Sequence, residues 1–272
     1  MSVRIGVFDS GVGGLSVARL IWQELPQLNI HYFADTAYVP YGERPARDVV
    51  RLVERVIRHL LLSGVRALVM ACNTATALAL EETESYCPMP VIGMIRPAVA
   101  AALKATRSGR IGVLSNSLTA SCGAYQKAAP SAQIFSQGCP QLVLLAEAGQ
   151  TDGPFVRRAL REYLAPLLRQ DIDTLILGCT HFPFFRAEIK RMLGSSVKII
   201  DPAHHVLDQL RRLGLASDES KLEHYIEVSG NARTFENSAQ MLLREPIRAR
   251  HCALPDSKIR VSEPALLHRA AV

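Results

Sequence analysis

No apolar stretch in the 272-residue sequence approaches the roughly 20 consecutive residues that a bilayer-crossing helix needs, because Arg, Glu, Ser or Gly interrupts each candidate. That excludes a helical membrane protein and removes the membrane as a partner. The opening MSVRIGVFDSG has no charged start, no apolar signal core and no small-residue cleavage site. Export is therefore not expected, and the expected compartment is the cytoplasm. The first strand is expected to begin almost at once, without room for an N-terminal extension. There are six cysteines, Cys72, Cys87, Cys122, Cys139, Cys179 and Cys252, with neither C-x-x-C spacing nor the density of a disulfide scaffold. They read as reduced thiols. A Gly-Lys-Ser/Thr phosphate loop is missing, and in DSGVGGLS Ser16 stands where the last glycine of G-x-G-x-x-G would fall. Neither a nucleotide nor nicotinamide is expected as a cofactor. The formal charge of +6 is spread along the chain, as in Arg44, Arg47, Arg51, Arg55 and Arg58 on one solvated helix face, so no nucleic-acid partner is expected.

What is present is a folded, enzyme-sized chain. Hydrophobic residues make up 49% and charged residues 21%, the balance of a soluble globular protein with one large or two modest domains. Short β-rich runs, RIGVFD, IHYFAD, ALVMAC, PVIGMI, RIGVLS, AQIFSQ, TLILGC and VKIID, alternate with longer segments whose apolar residues recur at three and four. Segments such as Arg47 to Ser63, Pro97 to Thr106 and Phe155 to Arg169 are long enough to cross back over a sheet, so the fold class is α/β with largely parallel strands.

The halves also resemble one another. IGVFDS at Ile5 recurs as IGVLSN at Ile111, and ALVMACNT at Ala67 recurs as TLILGCTH at Thr174, at offsets that agree within about one residue. Chance similarity of strand endings is the competing explanation. Two similar α/β domains, each ending two strands at a common interdomain cleft, explain the pattern better, because both runs carry a cysteine at the same place. A crossover near Pro97 and a return at Asp201-Pro202, where proline interrupts regular structure, divide the chain into residues 1–97 plus 205–272 and residues 98–204.

In open parallel sheets ligands gather beyond the carboxyl ends of the strands, where helix N-termini favour anions and lower thiol pKa values. Cys72 and Cys179 are expected at such ends, each followed by hydrogen-bonding residues, Asn73 and Thr74 in one case and Thr180 and His181 in the other. Asp9 and Ser10 end another strand; Asp9 is suited to orienting or accepting a proton near Cys72, or simply to capping a helix. His181 can tune or reprotonate the second sulfur. A zinc centre from Cys179, His181 and the His204-His205 pair competes with this reading, although no spacing matches a familiar zinc motif. His31, His59, His224, His251 and His268 have no chemical context in the sequence.

FDSGVGGLSV, ADTAYVPYG, ACNTATA and LGCTHFP, in that order, with CPQLVLLAEAG from Cys139 and VSGNARTF from Val228, resemble the signatures of the glutamate racemases. The resemblance implies two α/β domains around an active site and a cofactor-independent, metal-free interconversion of L- and D-glutamate that supplies peptidoglycan precursors. It implies a homodimer too. By the same analogy Cys72 removes the Cα proton of D-glutamate while Cys179 donates on the opposite face, and the roles exchange for the L-isomer. Asp9, Glu147 and His181 match positions that assist the cysteines. Ser10, Tyr41, Gly42, Asn73, Thr74, Thr119 and Thr180 match positions around the substrate. Asn116 stands where the family commonly has threonine, which leaves aspartate or a related acid, with racemisation or elimination, as the runner-up. A zinc hydrolase and a non-catalytic amino-acid sensor are the alternatives from other classes. The segment from His251 to Val272 reads as a loose tail.

Overall fold

The computed structural model describes residues 4–215 and 224–255. Ten strands are present among them: β1 (Arg4–Asp9), β2 (Asn29–Ala34), β3 (Ala67–Met70), β4 (Val91–Gly93), β5 (Arg110–Ser115), β6 (Gln133–Gly138), β7 (Thr174–Gly178), β8 (Lys198–Ile200), β9 (Tyr225–Val228) and β10 (Arg250–His251). They form a six-stranded sheet in the order β10-β9-β2-β1-β3-β4 and a four-stranded sheet in the order β6-β5-β7-β8. Every pairing is parallel.

The continuous apolar runs follow from this architecture. β3 and β7 are buried along their whole length, because helices cover both faces of each sheet. One face of the first sheet packs on the helices Leu15–Glu24 and Pro202–Arg212, the other on Ala46–Leu62 and Asn73–Tyr86. Ala46–Leu62 shows why these segments are helical. Val49, Val53, Val56, Ile57 and Leu60 recur at three and four and are buried. Pro45 precedes the helix, and Gly64 ends it in the left-handed region (φ 75°).

The two sheets repeat one plan. The order β2-β1-β3-β4 in the first is matched by β6-β5-β7-β8 in the second. Ile5 lies beside Ala67 in one, and Ile111 beside Thr174 in the other, the same residues that begin the duplicated sequence runs. Even the close packing repeats: a Cβ on Gly6 would come within 2.6 Å of Leu68, and one on Gly112 within 3.2 Å of Leu175, its counterpart. The helix Ile95–Ala105, directly after β4, packs on the second sheet, and Pro202–Arg212, directly after β8, packs on the first. β9 and β10 had no counterpart among the runs read as strands. Of the tail expected after His251, residues 256–272 and His268 with them lie outside the described residues.

Candidate active site

The carboxyl ends of both sheets meet at one cleft. Side-chain contacts span it: Ser16 Oγ donates to the Thr180 carbonyl at 3.1 Å, Thr180 Oγ1 to Asp9 Oδ1 at 3.4 Å, Tyr125 Oη to Asn73 Oδ1 at 2.8 Å, and Asn116 Nδ2 to Thr74 Oγ1, whose hydroxyl also meets that of Thr119 at 3.0 Å. Between them is a cavity of about 40 Å³ lined by Ser10, Tyr41, Gly42, Cys72, Asn73, Thr74, Asn116, Cys179, Thr180 and His181, together with apolar residues such as Val39, Pro40, Val143 and Leu144. At roughly 10–15 Å³ per water, that space holds only a few waters. Cys72 and Cys179 are 5% and 7% exposed, so both sulfurs border the cavity from a nearly dry setting.

Cys72 follows β3 and caps the helix Asn73–Tyr86, its sulfur accepting from the Ala75 N–H at 3.5 Å and donating to Ser10 Oγ at 3.8 Å. A helix N-terminus lowers a thiol pKa only if it outweighs desolvation, and here it does not. Burial, with a contribution from Asp9, pushes the Cys72 thiol up to about 12 in spite of the Ala75 and Ser10 bonds. The expected lowering is corrected accordingly. Cys179 departs from the expectation in another way: it is followed by Thr180, His181 and the short 3₁₀ turn Phe182–Phe185, not directly by an α-helix. Its sulfur lies 3.6 Å from His181 Nδ1, while His181 Nε2 pairs with Glu147 Oε1 at 2.7 Å. Burial opposes charge on the imidazole, but the bonds to Cys179 and Glu147 prevail and hold its pKa well above the usual histidine range.

Asp9 is fully buried behind Ser10. Its Oδ2 accepts from the N–H groups of Gly11 and Gly14 at 3.1 and 3.0 Å, so it does cap the turn that leads into Leu15–Glu24. Burial pushes its carboxyl up to about 6 against the pull of His181 and the two N–H donors. Glu147, the last residue of the helix Pro140–Glu147, is 30% exposed at its side chain and stands behind His181 rather than in the cavity wall. Glycine is required where the lobes touch: a Cβ at Gly13 would lie 2.5 Å from Thr180 Oγ1 and 2.8 Å from His181. Gly42 similarly accepts the side chain of Asn116, which a Cβ would meet at 2.6 Å.

Besides the two cysteines, the titratable side chains of the wall include Glu43, Tyr41 and His181. No Lys or Arg lines it. Asn73 is 3% exposed, and its Nδ2 has no hydrogen-bond partner among the described residues, a donor left open at the cavity. Thr119 is buried one layer back, sharing a 3.0 Å contact with Thr74 and donating its backbone N–H to Asn116 Oδ1 at 2.9 Å. Sequence reasoning passed over Tyr125, which holds Asn73, and Asp35, which accepts from Tyr41 Oη at 2.6 Å. Asp35 and Tyr41 share the ADTAYVPYG run, a usable signal; nothing distinguishes Tyr125 in the sequence. His204 and His205 begin the helix Pro202–Arg212 beside a separate depression and do not join Cys179. Among the described residues, the His, Cys, Asp and Glu groups close enough to hold an ion are His31, His59 and Glu227.

Residues 15–210 match the model of the Asp/Glu/hydantoin racemase family. A glutamate racemase of Exiguobacterium sibiricum is 40% identical over 263 residues, covering 93% of this chain and 97% of that one. One from Desulforudis audaxviator is 42% identical over 258 residues, covering 89% and 94%. The crystal structure of a glutamate racemase isoform from Bacillus anthracis superposes with a TM-score of 0.88 at 37% identity, covering 93% of this chain and 98% of the other. That of the Francisella tularensis glutamate racemase in complex with D-glutamate superposes with a TM-score of 0.86 at 28% identity, covering 95% and 99%. With its paired parallel sheets, a cysteine from each lobe on one cavity and kinship along nearly its whole length, this chain belongs to the Asp/Glu/hydantoin racemase family of isomerases, among its glutamate racemases.

Proposed function

We propose that the protein interconverts L- and D-glutamate without a cofactor, by 1,1-proton transfer between two cysteines, and supplies D-glutamate for peptidoglycan. One observation carries this reading: Cys72 and Cys179 come from different sheets and border the same cavity. Inversion at Cα needs a base on one face and an acid on the other, and two lobes that each contribute a sulfur supply that arrangement without moving a side chain around the substrate. Residues 1–97 plus 205–272 form one lobe in this reading and 98–204 the other.

The two sulfurs start unequal. Cys72, pushed up to about 12, is the thiol, and Asp9 and Ser10 stand behind it to take up and return its proton. The cationic His181, backed by Glu147, stands 3.6 Å from the Cys179 sulfur, placed to exchange a proton with it. In this reading Cys179 removes the proton from L-glutamate while Cys72 delivers one, and the roles exchange for D-glutamate. An amino-acid Cα–H is weakly acidic, so the developing negative charge must be met by fixed donors in a water-poor site. Asn73 Nδ2, Thr74, Thr180, Ser10 and the backbone around Gly42 are suited to that task, with Tyr41 held in place by Asp35. Thr119 and Asn116 fix Thr74. Because the closed cavity is smaller than a glutamate, the lobes must separate for substrate to enter. The reading includes a cytoplasmic homodimer.

A chirality assay with enantiopure glutamate, aspartate and small neutral amino acids, without additives, tests substrate and reaction together. Loss of optical rotation with glutamate alone is expected. Racemisation of aspartate in preference to glutamate, or formation of a keto acid by elimination, would replace it.

A further inference from the structure

Outside the cleft, three side chains from three separate elements converge on one point of the first lobe, and a cysteine from a fourth lies against one of them. His31 lies on β2, His59 in the last turn of Ala46–Leu62, Glu227 on β9, and Cys252 directly after β10. Glu227 Oε2 is 2.8 Å from His31 Nε2 and 2.6 Å from His59 Nε2, and Cys252 Sγ is 3.8 Å from His59 Nε2. The three nitrogen and oxygen donors all lie within 4.8 Å of one another. None of the four residues lines the cavity between the lobes.

We propose that His31, His59, Glu227 and Cys252 bind a divalent transition metal, with zinc the ion whose preferences they match. Two imidazoles, a carboxylate and a thiolate are borderline and soft donors that suit zinc and not the oxygen-seeking magnesium or calcium. Bond lengths of about 2.0–2.1 Å to nitrogen and about 2.3 Å to sulfur in a tetrahedron place neighbouring donors about 3.3–3.6 Å apart. The 3.8 Å between Cys252 and His59 is already close to that spacing, and the two short contacts to Glu227 open by about 0.6 Å to admit the ion. Binding displaces the Cys252 thiol proton to solvent, so that the Glu227 and Cys252 anions together neutralise the dication.

The surroundings fit a ligand set better than a random surface cluster. His31 is 2% exposed, so its ring is enclosed by the sheet and presents Nε2 to the cluster from a fixed place. Its Nε2 faces the Glu227 carboxylate while its Nδ1 has no partner among the described residues, so metal binding at Nε2 shifts that ring proton to Nδ1. Tyr225 packs edge-on against His31 at 5.0 Å between ring centroids, and Phe33 packs on His59 at 5.2 Å, fixing both rings. Glu227 is 7% exposed, and both histidines address the same oxygen of its carboxylate. An ion here ties the last two strands, which return to the first sheet late in the chain, to β2 and Ala46–Leu62. Its effect is therefore on stability, which binding to the folded state raises by mass action.

The test uses untagged full-length protein, stripped with a chelator and reconstituted with cobalt(II) or zinc(II) alone. A Cys72→Ser/Cys179→Ser background removes the cleft thiols from the reading. We expect one cobalt per chain with the absorption of a tetrahedral ion bound by a thiolate, and a thermal midpoint several degrees higher with zinc. Cys252→Ala, at a half-buried position near the end of the described chain, should abolish the thiolate absorption and weaken binding at least about tenfold. His59→Gln should remove the zinc-dependent rise in midpoint. Absence of stoichiometric metal, or a cobalt spectrum and affinity unchanged by both Cys252→Ala and His59→Gln, would overturn the proposal.

Discussion

Cys72 and Cys179 end equivalent strands, β3 and β7, in sheets of the same order, yet their surroundings differ in kind. Cys72 caps a 14-residue helix with a hydroxyl and a buried carboxyl as neighbours, an environment that holds a proton on sulfur. Cys179 has a histidine two residues on, and that ring is braced by a carboxylate from a different helix, an environment that accommodates charge. A shared fold thus fixes where the two sulfurs stand, and the few residues after each strand give each sulfur different neighbours, on which the proposed difference of roles rests. A duplicated architecture needs only local changes to give opposed proton-transfer roles.

The comparison is broken most completely by removing either sulfur. Cys72→Ser and Cys179→Ser should each slow racemisation in both directions by about 10²–10⁴-fold or more, the usual contribution of a positioned acid or base. Circular dichroism should show both variants folded. Near-normal rates in both would leave the lobes as a binding device.

A smaller and asymmetric effect is expected on the Cys179 side. His181→Asn removes the cation that touches Cys179 and leaves the Cys72–Ser10 contact in place, acting on that side only through its weaker pull on Asp9, so the pH profiles for L- and D-glutamate should shift unequally, with the rate from L-glutamate losing more. Steady-state kinetics in each direction measures this. Equal losses with unchanged pH profiles would mean that the ring only packs the turn.

The smallest effect concerns stability on the Cys72 side. Asp9 is held at about 6 in the fold against an ordinary value of 3.8. Between those pH values the folded chain binds a proton that the unfolded chain has lost, so stability falls as pH rises from about 4 to 6 and this contribution is flat above that window. The cost above pH 6 is about 3 kcal/mol at the ordinary conversion of 1.36 kcal/mol per unit. Asp9→Asn, which retains an acceptor for Gly11 and Gly14, should flatten this slope and raise the thermal midpoint at pH 8 while lowering turnover. A midpoint-versus-pH series on both proteins checks the sign.

The paired lobes were readable because fully buried parallel strands leave uninterrupted apolar runs. β1 and β5 occupy the residues of RIGVFD and RIGVLS, and their register with β3 and β7 reproduces the duplicated pairs. β9 and β10 were not readable: they have four and two residues, one with Glu227 at its centre, and become strands only by pairing beside β2. In the site, the cysteines, Asp9 and His181 stood out because each stands at or just after the end of a strand. The direction of the Cys72 shift did not, since desolvation depends on the opposite lobe closing over the sulfur. His31, His59, Glu227 and Cys252 had no sequence context for a similar reason. They are scattered over 222 positions, from 31 to 252, and only packing brings them together.

The most direct test of opposed thiols follows deuterium at Cα during the first few per cent of L-glutamate turnover in deuterated water. Two sulfurs on opposite faces predict D-glutamate that carries deuterium from Cys72, with recovered L-glutamate still protiated because Cys179 returns only the proton it removed. Equal label in both enantiomers from the outset would contradict the account, since a single exchanging base serves both faces in that case.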